Sequence, residues 1–369
     1  MSDYDPSYGE GPQEPRREVE PEPRMNALDL FAGSGWGVAC KRLGIDEHGV
    51  ENMTAARATR DAAGFKTVGS DVWDYEVSPA EFNGHIASPP CQTFSQAGKG
   101  AGRKALIDVL TVVEFELYRT KAELRGAAVR LGDERTALVL MPMHFWYANQ
   151  PEWVVWEQVP TVLPVWQACA EKMRAVGYSV WTGNLQAEMY GVPQTRKRAF
   201  LVARRDGTVS PPEPTHSRYY PRDPTRLDPD VKPWVSMATA LGWGSTIEGW
   251  GRYYRSTTMP NSAFRSEDVP APTIAFGHDA ASAHWAYRRP STTIVGTFKP
   301  EIVAAPGYRT TVSRQNAPDS VRVTVAEAGV LQSFPVDFPW QGAKTRQYLQ
   351  VGNAVPPLLA EAVLRQVIM

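Results

Sequence analysis

Cysteine is scarce in this chain of 369 residues, which has only Cys40, Cys91 and Cys169, widely separated. Three such residues cannot build a disulfide framework, and none stand at zinc-site spacing, so no metal is expected. Long hydrophobic runs are also missing. Nothing approaches the roughly 18 apolar residues of a membrane span, and no charged-then-apolar leader opens the sequence. These absences point to a globular protein of a reducing, cytoplasmic setting with free thiols. Net charge is nearly absent too, at −1, which at first argues against a polyanion as partner. Its distribution reverses that point. Residues 1–24 carry seven acids and three bases, whereas residues 186–322 carry 18 Lys and Arg against 12 Asp and Glu. A local basic stretch is what phosphates require, so the charge permits nucleic-acid binding without demanding it.

What is present is ample material for a core, with 43% hydrophobic and 10% aromatic residues. Residues 1–24 are the exception. They are rich in Pro, Glu, Gly and Arg, and are expected to form a disordered tail. From Asn26 short apolar runs alternate with helical patterns. Strands are expected near Ala27–Phe31, Gly49–Glu51, Phe65–Gly69, His85–Ala87, Trp153–Trp156, Ser179–Leu185 and Arg198–Ala203. Helical period is clearest over Val162–Val176, with Val165, Cys169, Met173 and Val176 on one face. The alternation predicts an α/β fold with a doubly wound, Rossmann-like, mostly parallel sheet. Near Asp206 the character changes to Pro, Trp, Tyr, Arg and Ser/Thr without helical period. An echo there, Pro270–Ile274 against Pro290–Ile294, reads as two similar edge strands. Helical pattern returns at Thr324–Gln332 and Pro357–Ile368. The expected layout is a tail (1–24), a core (25–205), an irregular β-rich insert (206–318) and a return to the core (319–369).

Five segments suggest chemistry. Asp29–Gly37 sits where a strand turns into a helix, and its glycines would let a ligand approach the backbone. The third glycine is Gly37, one place short of its position in a dinucleotide fingerprint. Glu51 at the end of the next strand could hold ribose hydroxyls, and Asp71 at the end of the third could accept from an adenine amino group. The plainer reading is a tight turn with two solvated acids. Ser88-Pro89-Pro90-Cys91-Gln92 sets a thiol in a rigid, non-helical brace that a packing cysteine does not need and a nucleophile does. Cys40 and Cys169, on apolar helical faces, read as small buried hydrophobes. Glu157 follows an apolar strand, where doubly wound sheets build their sites, although a solvated strand end is its ordinary fate. Gln194–Arg198 opens another strand, with Arg196 and Arg198 on one face, or else is an exposed basic edge. Gly352–Pro357 is a turn into the last helix.

These segments, in this order from Asn26 to the C-terminus, together with Thr324–Pro335, resemble the DNA (cytosine-5)-methyltransferases of bacterial or phage type. The resemblance implies S-adenosyl-L-methionine bound near Phe31, Gly33, Gly35, Glu51, Asp71, Pro90 and Asn353. It implies duplex DNA as partner, a flipped cytosine, Cys91 as nucleophile at carbon 6, and Glu157 at the N3 edge. Arg198, with Arg196 as support, would face the carbonyl edge. It makes residues 206–318 the target-recognition region, with DNA contacts from Gln92, Ser95, Arg252, Arg255, Arg265, Arg288 and Arg289. A monomer serving restriction-modification or DNA protection is the expected context. One departure stands out: the family's Glu-Asn-Val is Glu157-Gln158-Val159 here. Two rivals remain, a tRNA cytosine-5 methyltransferase and a catalytically silent DNA-binding protein on the same scaffold. A cysteine hydrolase is weaker, because no histidine stands in a motif that would activate Cys91.

Overall fold

A computed structural model describes residues 25–90, 101–131, 137–220, 223, 226–242, 271–272, 302–304 and 321–368. Cys91, Gln92, Ser95, Arg252, Arg255, Arg265, Arg288 and Arg289 lie outside the described residues, as does the tail.

The centre is a seven-stranded sheet formed by β1 (Asn26–Leu30), β2 (Asp46–Val50), β3 (Lys66–Gly69), β4 (Gly84–Ala87), β5 (Trp153–Gln158), β6 (Ser179–Gln186) and β8 (Lys197–Arg204). Their order is β3-β2-β1-β4-β5-β8-β6. The first five are parallel, and β8 runs antiparallel to both β5 and β6. The expected doubly wound α/β fold is therefore present, with one reversed strand. Each of the seven strands foreseen in the core exists, but Glu51 and Asp71 stand just beyond their strands; Pro290–Ile294 of the echo lies outside the described residues. The Gln194–Arg198 segment is broken: β7 (Gln194–Thr195) is a separate short strand paired with β9 (Ala271–Pro272), and β8 begins after Arg196. Ala271–Pro272 is the described part of the Pro-Thr-Ile echo.

Alternation along each strand sorts side chains into two cores. Leu28, Leu30, Ala87, Val154, Trp156, Ala199, Leu201 and Ala203 face one layer. Ala27, Ile86, Val155, Phe200 and Val202 face the other. The first layer is closed by α5 (Met141–Asn149) and α6 (Leu163–Ala175), through Phe145, Trp146, Val165, Trp166, Cys169 and Met173. The second is closed by α1 (Gly35–Leu43) and α10 (Pro357–Ile368), through Trp36, Ala39 and Cys40 against Leu359, Val363 and Leu364. Helix α2 (Thr54–Ala62) connects β2 to β3. Val176 departs from expectation. It caps α6 and is 63% exposed, because the helix ends one residue before it. The stretch before β5, for which no helix was foreseen, holds α3 (Ala101–Glu114), α4 (Lys121–Leu131) and α5. Beyond a short α7 (Met237–Leu241), the chain returns with α8 (Val325–Leu331) and α9 (Lys344–Asn353). Thr324 and Glu327 start α8 with a reciprocal capping box.

Candidate active site

Strand order reverses between β1 and β4, whose last residues Leu30 and Ala87 are paired in register. Loops leaving the carboxyl ends of two such strands form the crevice where doubly wound sheets bind ligands. Here one is the glycine loop and the other is Ser88-Pro89-Pro90, with Cys91 next along the chain. They are fastened together: the Ser88 amide donates to the Leu30 carbonyl at 3.2 Å, and the Trp36 indole N–H donates to Ser88 Oγ at 2.8 Å.

The glycine loop turns sharply, with Phe31 at φ 60° and Gly33 at φ 50°. Such a φ is costly for a bulky residue and is found where surrounding structure imposes it. Gly35 is required for a different reason. A Cβ there would stand 2.0 Å from the Val355 carbonyl oxygen, so the final turn closes directly on the loop. Glu51 is buried, and its Oε2 accepts from the Gly33 amide at 3.0 Å while Oε1 accepts from the Met53 amide at 2.7 Å. Asp71 Oδ1 accepts from the Trp73 amide at 2.9 Å. Asn353, at the end of α9, is exposed.

The second group gathers at the end of β5. Glu157 and Gln158 are both buried, and Glu157 pairs in register with Phe200 of β8. Antiparallel pairing brings the start of β8 to this point, where Arg198 Nε meets Glu157 Oε1 at 2.9 Å. Gln158 acts as a brace. Its Nε2 donates to the Pro89 carbonyl, and its Oε1 accepts from the Val159 amide. The extra methylene relative to asparagine therefore does not cut the link to the loop before Cys91. Arg196 is also buried, but its Nη1 donates to the Gly352 carbonyl at 3.0 Å, tying the start of β8 to the C-terminal turn. The Trp36–Ser88 and Arg196–Gly352 contacts were not foreseen, since each depends on pairing between distant segments.

The other thiols behave as packing residues. Both Cys40 and Cys169 are free and buried. Burial pushes each thiol up, and for Cys40 the carboxyls of Glu47 and Asp29 add to the effect. His85, near Cys91 in sequence, is buried against Phe145 and Trp156, and burial pulls its pKa down to about 3. An imidazole of such low basicity, enclosed in that aromatic setting, is too weak a base to activate a thiol for a cysteine hydrolase.

Gly33 has open space where a Cβ would stand. Around it are a carboxylate fixed by two amides, a second acid beyond β3, and the start of α1, where Ser34 makes no side-chain cap. That donor and acceptor set fits S-adenosylmethionine: Glu51 could take the ribose diol, Asp71 the adenine amino group and the helix amides the carboxylate.

The profile of the C-5 cytosine-specific DNA methylase family matches residues 124–369, more than half of the chain. The chain belongs to this family. The DNA (cytosine-5)-methyltransferase is 28% identical over 297 residues to the Type II methyltransferase M1.HphI of Haemophilus parahaemolyticus, covering 77% of this chain and 67% of that protein. It is 26% identical to the Type II methyltransferase M.AplI of Arthrospira platensis, covering 96% and 89%. In fold the methyltransferase is similar to Entamoeba histolytica methyltransferase EhMeth, with TM-score 0.54 at 13% identity, covering 94% of this chain and 98% of that one. Among its described residues no helix is long and apolar enough to cross a membrane, and no group of three or more His, Cys, Asp or Glu could hold a metal.

Proposed function

We propose that this methyltransferase modifies carbon 5 of cytosine within a specific duplex DNA sequence, through a flipped base and a covalent bond from Cys91 to carbon 6. The observation that carries the reading is the juxtaposition at the switch point. The loop leading into Cys91 is braced by Gln158, and the buried Glu157–Arg198 pair stands on the neighbouring strand end. S-adenosylmethionine, when bound at the glycine loop, supplies the electrophilic methyl group. The Cys91 thiolate adds to carbon 6, with Glu157 holding a proton at N3 and so favouring the enamine. Arg198 keeps Glu157 oriented and faces the carbonyl edge of the base. Carbon 5, made electron-rich, would take the methyl group as its bond to the sulfonium breaks, leaving a neutral thioether. Loss of its proton and departure of the Cys91 sulfur then restore the ring. Flipping the base costs a few kcal/mol, and holding the reactants face to face supplies much of the acceleration.

On this reading residues 25–205 and 319–369 form the catalytic domain and residues 206–318 choose the sequence. Arg252, Arg255, Arg265, Arg288 and Arg289 would supply base and phosphate contacts, and Gln92 and Ser95 would meet the DNA beside the nucleophile. The names of the Type II relatives support a restriction-modification role; that the protein serves it as a monomer in the cytoplasm is part of this proposal.

The test uses tritiated S-adenosylmethionine and duplex DNA containing 5-fluorocytosine, where fluorine blocks the final elimination. A covalent complex on a denaturing gel, absent with Cys91→Ser, is expected. No complex on genomic-length DNA of varied sequence, or methyl transfer to tRNA alone, would overturn the reading.

A further inference from the structure

Arg60 of α2 carries a full charge with a side chain that is 0% exposed. Burying a guanidinium is costly unless every nitrogen finds a partner, and here each does. Nε donates to Thr67 Oγ1 at 3.1 Å. Nη2 meets Glu47 Oε1 and Oε2 at 2.7 and 2.9 Å and the Lys66 carbonyl at 2.6 Å. Nη1 donates to the Gly33 carbonyl at 3.0 Å. The strand below makes room for it: a Cβ on Gly49 of β2 would stand 2.2 Å from Nη2.

The neighbouring charges are also arranged to leave this one contact in place. Asp29 is wholly buried beside Glu47, with whose carboxyl it shares a hydrogen bond. Burial first, and the Glu47 charge second, push its carboxyl well above the usual range. Glu47 holds the guanidinium with both of its oxygens.

We propose that Arg60 is a positioning residue for the cofactor loop, gripping the Gly33 carbonyl while Glu51 grips the Gly33 amide. The fold needs only that the buried charge be paired, which Glu47 accomplishes; the contact to Gly33 is the part that reaches the site. With both polar groups of Gly33 held by side chains from different elements, the loop keeps its turn at φ 50° before any ligand arrives. A loop already in its binding conformation loses less freedom on association. The proposal rests on the reading of this loop as the S-adenosylmethionine site.

The test measures S-adenosylmethionine affinity by calorimetry without DNA, and steady-state kinetics with DNA, on the full chain. Arg60→Lys keeps the charge but cannot reach four partners at once. It is expected to weaken binding about tenfold, or about 1.4 kcal/mol. KM for S-adenosylmethionine should rise in parallel, while kcat at saturation and KM for DNA stay near wild type. Thr67→Val removes only the Nε anchor on an exposed strand residue and is expected to weaken binding about two- to threefold. A folded Arg60→Lys with wild-type affinity, or one that loses kcat with KM unchanged, overturns the proposal. If Arg60→Lys does not fold, unchanged binding by Thr67→Val overturns it equally. Failure of the wild-type chain to bind S-adenosylmethionine would overturn the cofactor reading together with this proposal, whereas binding that the variants leave untouched would overturn the proposal alone.

Discussion

The β1–β2 side of the site presents backbone to its ligand, and the β5–β8 side presents side chains. At the glycine loop the groups that would meet a cofactor are amides of the turn together with Glu51 and Asp71, and Glu51 and buried Arg60 also hold Gly33. At the ends of β5 and β8 the groups that would meet the base, Glu157 and Arg198, hold each other directly. A backbone surface can be shaped only through its supports, so change there should alter affinity. A side-chain pair acts through its own charge and proton, so change there should alter rate.

The strongest way to break the comparison is at the nucleophile. Cys91→Ser is expected to reduce methyl transfer to background in a tritium assay while S-adenosylmethionine binding is retained; joint loss of both would merge the two sides. Next, Glu157→Gln should lower kcat by about 10²–10⁴-fold, the range of a lost proton-transfer group, with the cofactor Kd unchanged. Arg60→Lys should give the opposite pattern, an affinity loss of about tenfold with kcat preserved. Gln158→Leu removes the brace on Pro89. Losing one buried hydrogen bond of about 1 kcal/mol should cost roughly fivefold in kcat, read in single-turnover experiments with saturating cofactor.

The smallest effect on activity is expected outside both groups. Glu188, in the turn before β7, is buried with one oxygen unpartnered, and burial raises its pKa from 4.5 to about 7. The folded protein therefore holds this proton more tightly than the unfolded chain does. That contribution is fully present below about pH 4.5 and is lost as pH rises towards 7. The shift corresponds to about 3 kcal/mol. Glu188→Gln should flatten the fall in Tm between pH 5 and 8 and leave methylation unchanged. A Tm profile parallel to wild type would contradict the raised pKa.

Much of the α/β core was legible because its signals are local. Trp153–Trp156 is an uninterrupted apolar run, as a strand buried on both faces must be, and Ser88–Gln92 reads as a rigid brace from its prolines alone. Helix α5, between β4 and β5, was not legible, because its apolar residues follow no single face: Met141, Met143, Phe145 and Trp146 are all buried. Val176 followed the α6 period on paper but lies past the helix end, where that period no longer orients a side chain. Arg60 gave no signal at all. In Thr54–Ala62 a charged residue among polar neighbours reads as solvated, and only packing of α2 over β2 and β3 encloses it.

The sequence by itself determined the strands, the order of the motifs and the identity of the candidate nucleophile, since these depend on residue type and short-range period. Only the tertiary structure decided which groups meet. Pairing of Leu30 with Ala87 sets the two loops side by side, reversal of β8 delivers Arg198 to Glu157, and burial of Arg60 carries support to Gly33. Those contacts join residues far apart in the chain, and register, strand direction and the cost of an unpaired buried charge choose them.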